Sequence, residues 1–344
     1  MTSIDLLAGP RGRRFCLAVV TGLSDESWSL ALRSAWDPGD ATLRADLCAA
    51  IGSRDTLLSI SEASDTALLK ALADAVDCAA YWQPPDELDD LAATPWMLAA
   101  LRPVADILSD RIVGSWWSSD IDAGSQHAVQ WIDEHDMPAP ALSGAAERVA
   151  RWREQTVESE RAAARWSRSL KKRTGSSWWS TPALSSLVQT SRSLPGLGAA
   201  GLLLVEDGAG RERARVWPLT PEPGARILEL RGPEDWVDLV ESHPLEVTQT
   251  WRKTAWDTTG IDGRWFIPDF AAVAQEYDGV HLTVEGYLVT AGRPLNAGNG
   301  RTILAGWDPD TTYWLADVLR PSGEPAEWVN GAVGTTAEWT PTAR

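Results

Sequence analysis

Cysteine, histidine, long apolar runs and clustered cations are all scarce in this 344-residue chain, and each scarcity narrows the possibilities. There are three cysteines, Cys16, Cys48 and Cys78, each in an apolar or Ala-rich setting and none at metal-ligand spacing. That excludes a disulfide framework and a thiolate metal site, and it reads each thiol as a small core residue. The four histidines, His127, His135, His243 and His281, show no local spacing that would bring two or three ligands onto one metal. No apolar run approaches the roughly 20 residues needed to cross a bilayer. The N-terminal MTSIDLLAGPRGRRF lacks the basic-then-apolar layout of a secretion signal, so the expectation is a cytoplasmic chain without membrane contact. With 31 basic against 48 acidic residues the net charge is −17, which excludes duplex nucleic acid as a partner, because neutralising phosphates takes clustered Lys and Arg.

Familiar catalytic signatures are missing as well. There is no phosphate-cradling glycine loop followed by Lys and Ser or Thr, no nucleophile elbow and no HExxH. Leu194–Gly201, LPGLGAAG, has the glycines of a dinucleotide loop but leads into an apolar run read as a strand, so no helix N-terminus would face a phosphate. The acidic clusters Trp307–Asp310 and Asp257–Asp262 supply too few alternating oxygens for a calcium loop and read as turns and caps.

What the chain does have is tryptophan, 20 residues of it, and a hydrophobic content of 44%, enough for a sizeable core. Two Trp pairs stand in similar settings, GSWWSSD at Gly114–Asp120 and GSSWWSTP at Gly175–Pro182. On strands each pair would offer one ring to the core and one elsewhere. Charge is uneven: residues 144–173 carry nine basic and four acidic residues, between a leading part of net −13 and a trailing part of net −9.

The pattern along the chain predicts an α+β protein, with a mainly helical N-terminal region and a mixed, largely antiparallel C-terminal sheet domain. Arg13–Val20 reads as a first strand, and helices follow from Ser24 to about Ile132, with His127 inside one. Asp133–Gly144, with its charges, two prolines and glycine, reads as a linker. Ala145–Leu170 reads as one long basic helix. Further on, SSWWS, Leu202–Val205, Arg213–Leu219, Arg226–Leu230, Glu246–Trp251, Thr302–Ala305 and Thr312–Leu315 read as strands, and Pro182–Ser191 and Pro233–Val240 as helices. Residues after Pro321 read as a loose tail. The expected divisions are 1–135, 136–173, 174–320 and 321–344.

The stretch Arg264–Leu288, RWFIPDFAAVAQEYDGVHLTVEGYL, is the most suggestive of a site. Asp269–Tyr277 reads as a short helix ended by Asp278-Gly279. A strand then alternates Val280, Leu282 and Val284 with His281, Thr283 and Glu285. An imidazole, a hydroxyl and a carboxylate on one face could bind, orient and transfer protons; the alternative is a solvent-facing edge strand.

From GSSWWSTP through YDGVHLTVEGYL to GWDPDTTYWL, the C-terminal half resembles an uncharacterised Trp-rich family of high-GC bacteria, to which no function attaches. The order of its motifs also resembles the ADP-ribosyltransferase-like fold. That resemblance implies an NAD-consuming transferase or glycohydrolase, with NAD as substrate and no bound cofactor. Ser180 and Thr181, with Pro182 opening a helix, would match the nicotinamide-pocket motif. Glu285 would be the late-strand carboxylate that steadies an oxocarbenium-like transition state, with His281 beside it. Trp178 and Trp179 would wall the nicotinamide, and Thr283 and Tyr287 would complete the substrate contacts. The family's early-strand Arg or His has no counterpart, and Thr283 stands where an acid or Gln is usual. The competing expectation is a non-enzymatic protein that uses Trp and an acidic surface to bind a small molecule or a protein partner.

Overall fold

The structure is a computed structural model and describes residues 4–80, 83–132, 138–165, 178–182, 187–208, 210–331 and 338–342. The first element corrects the sequence reading. Residues 13–20 belong to a helix, α1 (Pro10–Thr21), not to a strand. A short apolar run fits either period, and two things decide it here: Pro10 supplies a ready-made first turn, and α1 is surrounded by other helices.

Six helices follow: α2 (Asp25–Trp36), α3 (Ala41–Gly52), α4 (Arg54–Ser61), α5 (Asp65–Asp77), α6 (Glu87–Ala93) and α7 (Pro95–Ile112). Every start is written in the sequence. The side chains of Ser24, Asp40, Ser53, Ser64, Asp86 and Thr94 each accept a first-turn backbone N–H, an arrangement worth about 1 kcal/mol per helix. Pro103 lies within α7, which continues past it.

The sheet begins earlier than expected. The first Trp pair sits in a 3-10 turn (Trp116–Ser118) and not on a strand, and His127 lies in β1 (Gln126–Trp131), not in a helix. Helix α8 (Ala145–Ala164) covers most of the expected basic helix, whose last residues fall outside those described. Then come β2 (Gln189–Leu194), β3 (Gly198–Ala199), a 3-10 turn (Ala200–Leu202), β4 (Arg213–Pro221), β5 (Ile227–Leu230), α9 (Pro233–Ser242), β6 (Pro244–Glu246) and α10 (Thr248–Thr259). So the strand expected at Glu246–Trp251 is mostly helix, Leu202–Val205 is no strand, and the last three residues of the expected Pro182–Ser191 helix, Gln189–Ser191, open β2. Residues 183–186 lie outside the described set, as do Ser176 and Ser177 of the expected SSWWS strand; its Trp178–Ser180 are in no strand.

The remaining elements are β7 (Phe266–Pro268), α11 (Phe270–Val273), β8 (Gly279–Leu282), α12 (Val284–Thr290), β9 (Leu295–Ala297), β10 (Gly300–Thr302), β11 (Thr311–Trp314), β12 (Leu319–Pro321), β13 (Ala326–Asn330) and β14 (Trp339–Pro341). The main sheet runs β14-β13-β4-β1-β2-β11-β8-β5, with β12 on β4 and β3 on β2. Its pairs are antiparallel except β5 with β8. The fold is therefore α+β, with helices first and a largely antiparallel sheet after them.

Two expected divisions do not match this architecture. Strand β1, from the expected helical region, sits in the middle of the sheet, and one hydrophobic cluster runs from Leu6 and Phe15 to Tyr313 and Leu315. The expected loose tail contains β13 and β14, which extend the sheet from β4. Tryptophan anchors much of the interior, with Trp236, Trp265, Trp307 and Trp314 almost wholly buried. Of the cysteines only Cys16 is buried; Cys48 is partly buried and Cys78 exposed, so the expected core role holds for one of three. No single helix among the described residues is long and apolar enough to cross a membrane.

Helix α12 lies so close to β5 that a Cβ on Gly286 would stand 2.3 Å from the Leu230 carbonyl oxygen, whereas one on Gly263 would meet nothing within 4 Å. Gly286→Ala should therefore lower the unfolding free energy by about 1–3 kcal/mol, the usual cost of overpacking, while Gly263→Ala should change it far less. Urea denaturation of both variants checks this.

Candidate functional site

The strand that was to carry three polar residues on one face stops at Leu282. Thr283 instead caps α12, its Oγ1 accepting the Gly286 N–H at 2.9 Å. Glu285 is thus a first-turn helix residue, and His281, Thr283 and Glu285 do not line one strand face. The physical reason is local: a Thr that can cap, an acid in the first turn and an apolar Val-Tyr-Leu set favour helix once the chain leaves the sheet. Glu285 is partly buried, and burial raises its carboxyl pKa above the ordinary value.

His281 is buried, 1% exposed, and fully engaged. Its Nδ1 lies 2.6 Å from Glu229 Oε2 and its Nε2 3.4 Å from Asp310 Oδ1. Asp310 in turn accepts from Arg192 Nε at 2.6 Å and from the Arg192 backbone N–H at 2.9 Å. The Arg192 guanidinium also donates to Ser119 Oγ and the Asp120 carbonyl, and it lies 5.2 Å from the Trp116 ring centre. Glu229 Oε1 accepts the Ile121 N–H. Burial alone would lower the imidazole pKa, but the hydrogen bonds from Asp310 and Glu229 outweigh it and raise it above its ordinary value. Two carboxylates thus face one guanidinium and one imidazolium, and the group closes on itself. His281 is a structural residue in this arrangement.

The other expected contacts separate into different places. Ser180 is locked to Ala305, whose N–H donates to Ser180 Oγ at 2.8 Å. Trp178 and Trp179 stack against each other with ring centres 4.5 Å apart. Trp178 packs on the cluster of Leu245, Trp251, Trp265 and Ile303, and Trp179 covers Gly306 while staying 41% exposed. Helix α12, which carries Glu285, packs instead on α1, α9 and the first 3-10 turn. The aromatic pair and the glutamate therefore belong to different packing clusters.

Tyr287 leads to carboxyls that the sequence reading did not single out as a pair. Tyr287 Oη donates to Glu206 Oε1 at 2.9 Å, and the Glu206 backbone N–H donates to Asp308 Oδ1 at 2.8 Å across 102 residues of sequence. Thr181 is buried and close enough to Tyr313 to influence its hydroxyl, as Asp308 is. Glu206 Oε2 is out of solvent with no hydrogen-bond partner. Burial, and next the neighbouring Asp308, push the Glu206 carboxyl up to about 8 against the Tyr287 hydrogen bond. Burial pushes Asp308 up to about 7.

Asp308 lines a cavity of about 330 Å³ behind β1 and β2. His127, Val129 and Trp131 alternate along its β1 wall, Gln189 and Ser191 face in from β2, and Pro138–Ala141 with Arg148 form the outer side. His127 Nδ1 is shielded from solvent and has no hydrogen-bond partner, and burial lowers the imidazole pKa, which keeps it neutral at pH 7. Only the strand periodicity around His127 could have pointed here; nothing in the sequence links Glu206 to Asp308. Among the described residues no group of three or more His, Cys, Asp or Glu could hold a metal ion.

His281→Gln should cost about 3–5 kcal/mol, since it leaves Glu229 without its cation and Asp310 with Arg192 alone. The imidazole's folded pKa is raised, so its contribution is complete below the unfolded value of 6.5 and is lost as pH rises through the folded value. The stability gap between wild type and variant, measured by urea unfolding across pH, should be widest on the acid side of neutrality and should narrow in alkali. Comparison of the chain with protein-family models, with curated proteins and with solved structures found no match.

Proposed function

We propose that this chain binds a small polar molecule in the cavity behind β1 and β2, with Asp308 and Glu206 as a carboxyl pair that can hold or move a proton on it. The observation that carries this reading is Asp308 on the cavity wall, its carboxyl raised by burial and accepting the backbone N–H of Glu206, a second raised carboxyl next to the lining residue Val205 with one oxygen out of solvent and unpartnered. Buried polar groups are normally partnered, and an unpartnered set around an open volume matches a ligand's donors and acceptors. Perturbed carboxyls gathered at a cavity also mark functional sites more often than chance placement does.

At neutral pH the pair holds between one and two protons, Glu206 mostly protonated and Asp308 near its midpoint. A protonated carboxyl can donate to a ligand carbonyl or hydroxyl and an ionised one can accept, so the same pair serves recognition and general acid–base chemistry. His127, neutral, adds a ring nitrogen on the β1 side, and Trp131 an aromatic wall. The reading with NAD as substrate makes Glu285 the working carboxylate, and the two readings separate by mutation.

A library of neutral sugars and amides, with nicotinamide and NAD included, screened by thermal shift at pH 6, tests the proposal. Hits should be weakened about tenfold or more by Asp308→Asn, the equivalent of one good hydrogen bond, and unaffected by Glu285→Gln. Loss through Glu285→Gln instead, with Asp308→Asn silent, would transfer the assignment to the NAD reading. No shift that depends on Asp308 would remove the cavity proposal.

The pair also sets a pH dependence. Both folded pKa values lie above the ordinary 4.5 and 3.8, so the native state favours the protonated acids. Stability from this source is complete below about 4, falls as pH rises, and is gone above about 8. Melting temperature followed from pH 5 to pH 8.5 should decline, and Asp308→Asn should flatten that decline.

A further inference from the structure

A second cavity, of about 320 Å³, opens where the start of α1, α6, the end of α10 and the turn after α12 meet. Arg11, Arg13 and Arg293 line it. In a chain of net charge −17 these three cations are differently served. Arg11 is bound to Asp89 at 2.6 Å, and Asp89 also lies 3.4 Å from Arg14. Asp90, the other acid on the wall, is solvent-exposed. Arg13 donates to the Leu7 carbonyl, while its Nε is shielded from solvent with no partner. Among the described residues no carboxylate forms an ion pair with Arg13 or Arg293.

From this geometry we infer that the cavity is an anion site, in which Arg13 and Arg293 grip the oxyanion of a small molecule, a phosphate or a carboxylate. Three guanidinium groups against two carboxylates, Asp89 and Asp90, leave the wall with a positive excess, and a forked pair of N–H donors fits an oxyanion closely. Arg13 responds to this setting: burial first, and then repulsion from Arg11 and Arg293, lower its pKa against the pull of Asp89. The backbone holds the residues in place. A Cβ on Gly12 would come within 2.0 Å of the Leu6 carbonyl oxygen and 2.9 Å of that of Leu288, so α1 sits directly on the end of α12 and fixes Arg13 relative to Arg293. The acid pair and the arginine pair occupy separate cavities, and this inference does not depend on the first.

The test uses the full chain, with inorganic phosphate, sulfate and acetate each compared with chloride at equal ionic strength. Saturable stabilisation in thermal shift, confirmed by calorimetry, is expected, with at least a tenfold loss of apparent affinity in Arg293→Gln and no change in Arg226→Gln, an exposed arginine bound to Asp278. Phosphate and sulfate acting without acetate would assign a phosphate-type group, and acetate acting alone a carboxylate. Arg293 lies on a partly exposed turn, so its variant should fold; Arg13→Gln, checked by circular dichroism, is the second arm. Stabilisation by none of the anions beyond chloride, or equal stabilisation of wild type, Arg293→Gln and Arg13→Gln, would overturn the inference.

Discussion

The sheet is organised around one buried set of charges, Arg192, Asp310, His281 and Glu229. These come from β2, the turn before β11, β8 and β5, and they lie on the same side of the sheet because their strands pair in register: Glu229 opposite His281, His281 opposite Thr312, Thr312 opposite Thr190. Burying four charges is costly, and the cost is met only because each has at least one close partner of opposite sign, the remaining Arg192 donors reach Ser119 Oγ and the Asp120 carbonyl, and Glu229 accepts the Ile121 N–H. The same bonds clamp the segment after the first Trp pair onto the sheet. A register slip of one residue in β8 would turn His281 toward the apolar side and leave Glu229 without its cation partner, so the set also fixes pairing.

The opposite side of the sheet follows from the same register. Val280, Leu282, Leu230 and Tyr313 face the helices and join the continuous core that begins at Leu6. Farther along that side, β1 and β2 present His127, Val129, Trp131, Gln189 and Ser191 to the 330 Å³ cavity, whose lining also includes Arg148 of α8 and Gly201 of the second 3-10 turn. The polar surface of the sheet thus has two fates. Over β8 and β11 it is satisfied internally; behind β1 and β2 it leaves His127 Nδ1 without a hydrogen-bond partner.

Helix starts were legible in the sequence, because a cap is a local signal: Ser24 and Thr283 act through residues three positions away. The α+β class was legible too, since helical patterning precedes strand patterning. The errors lie where local signals are ambiguous or where partners decide. Residues 13–20 form an apolar run that only its helical neighbours assign, and β13 looks like tail in composition because its pairing partner, β4, lies about a hundred residues away. Alternation from Val280 to Glu285 is genuine as letters, yet the backbone leaves the sheet halfway through it. For the site, Tyr287 was picked out, but the acids beside it were not, since Glu206 and Asp308 meet only after the chain is folded.

Asp308 and Asp310 show why residue type alone could not have found the site. They stand two positions apart in a turn that Trp307 closes by donating from Nε1 to the Thr311 carbonyl, with Asp310 held at a φ of 57°. That turn sends the two carboxyls to different environments. Asp310 goes to the arginine and the histidine, where opposite charges meet it. Asp308 goes to Glu206 and the cavity, where the nearest ionisable group is another acid and burial drives its pKa up to about 7. A fold needing only stability could have placed an Asn at 308, whose side-chain oxygen would accept the Glu206 N–H. Retaining a second carboxyl beside Glu206 adds repulsion and desolvation that the pull of Arg11 on Glu206 does not offset, and such a cost is consistent with groups kept for what they do to a bound molecule.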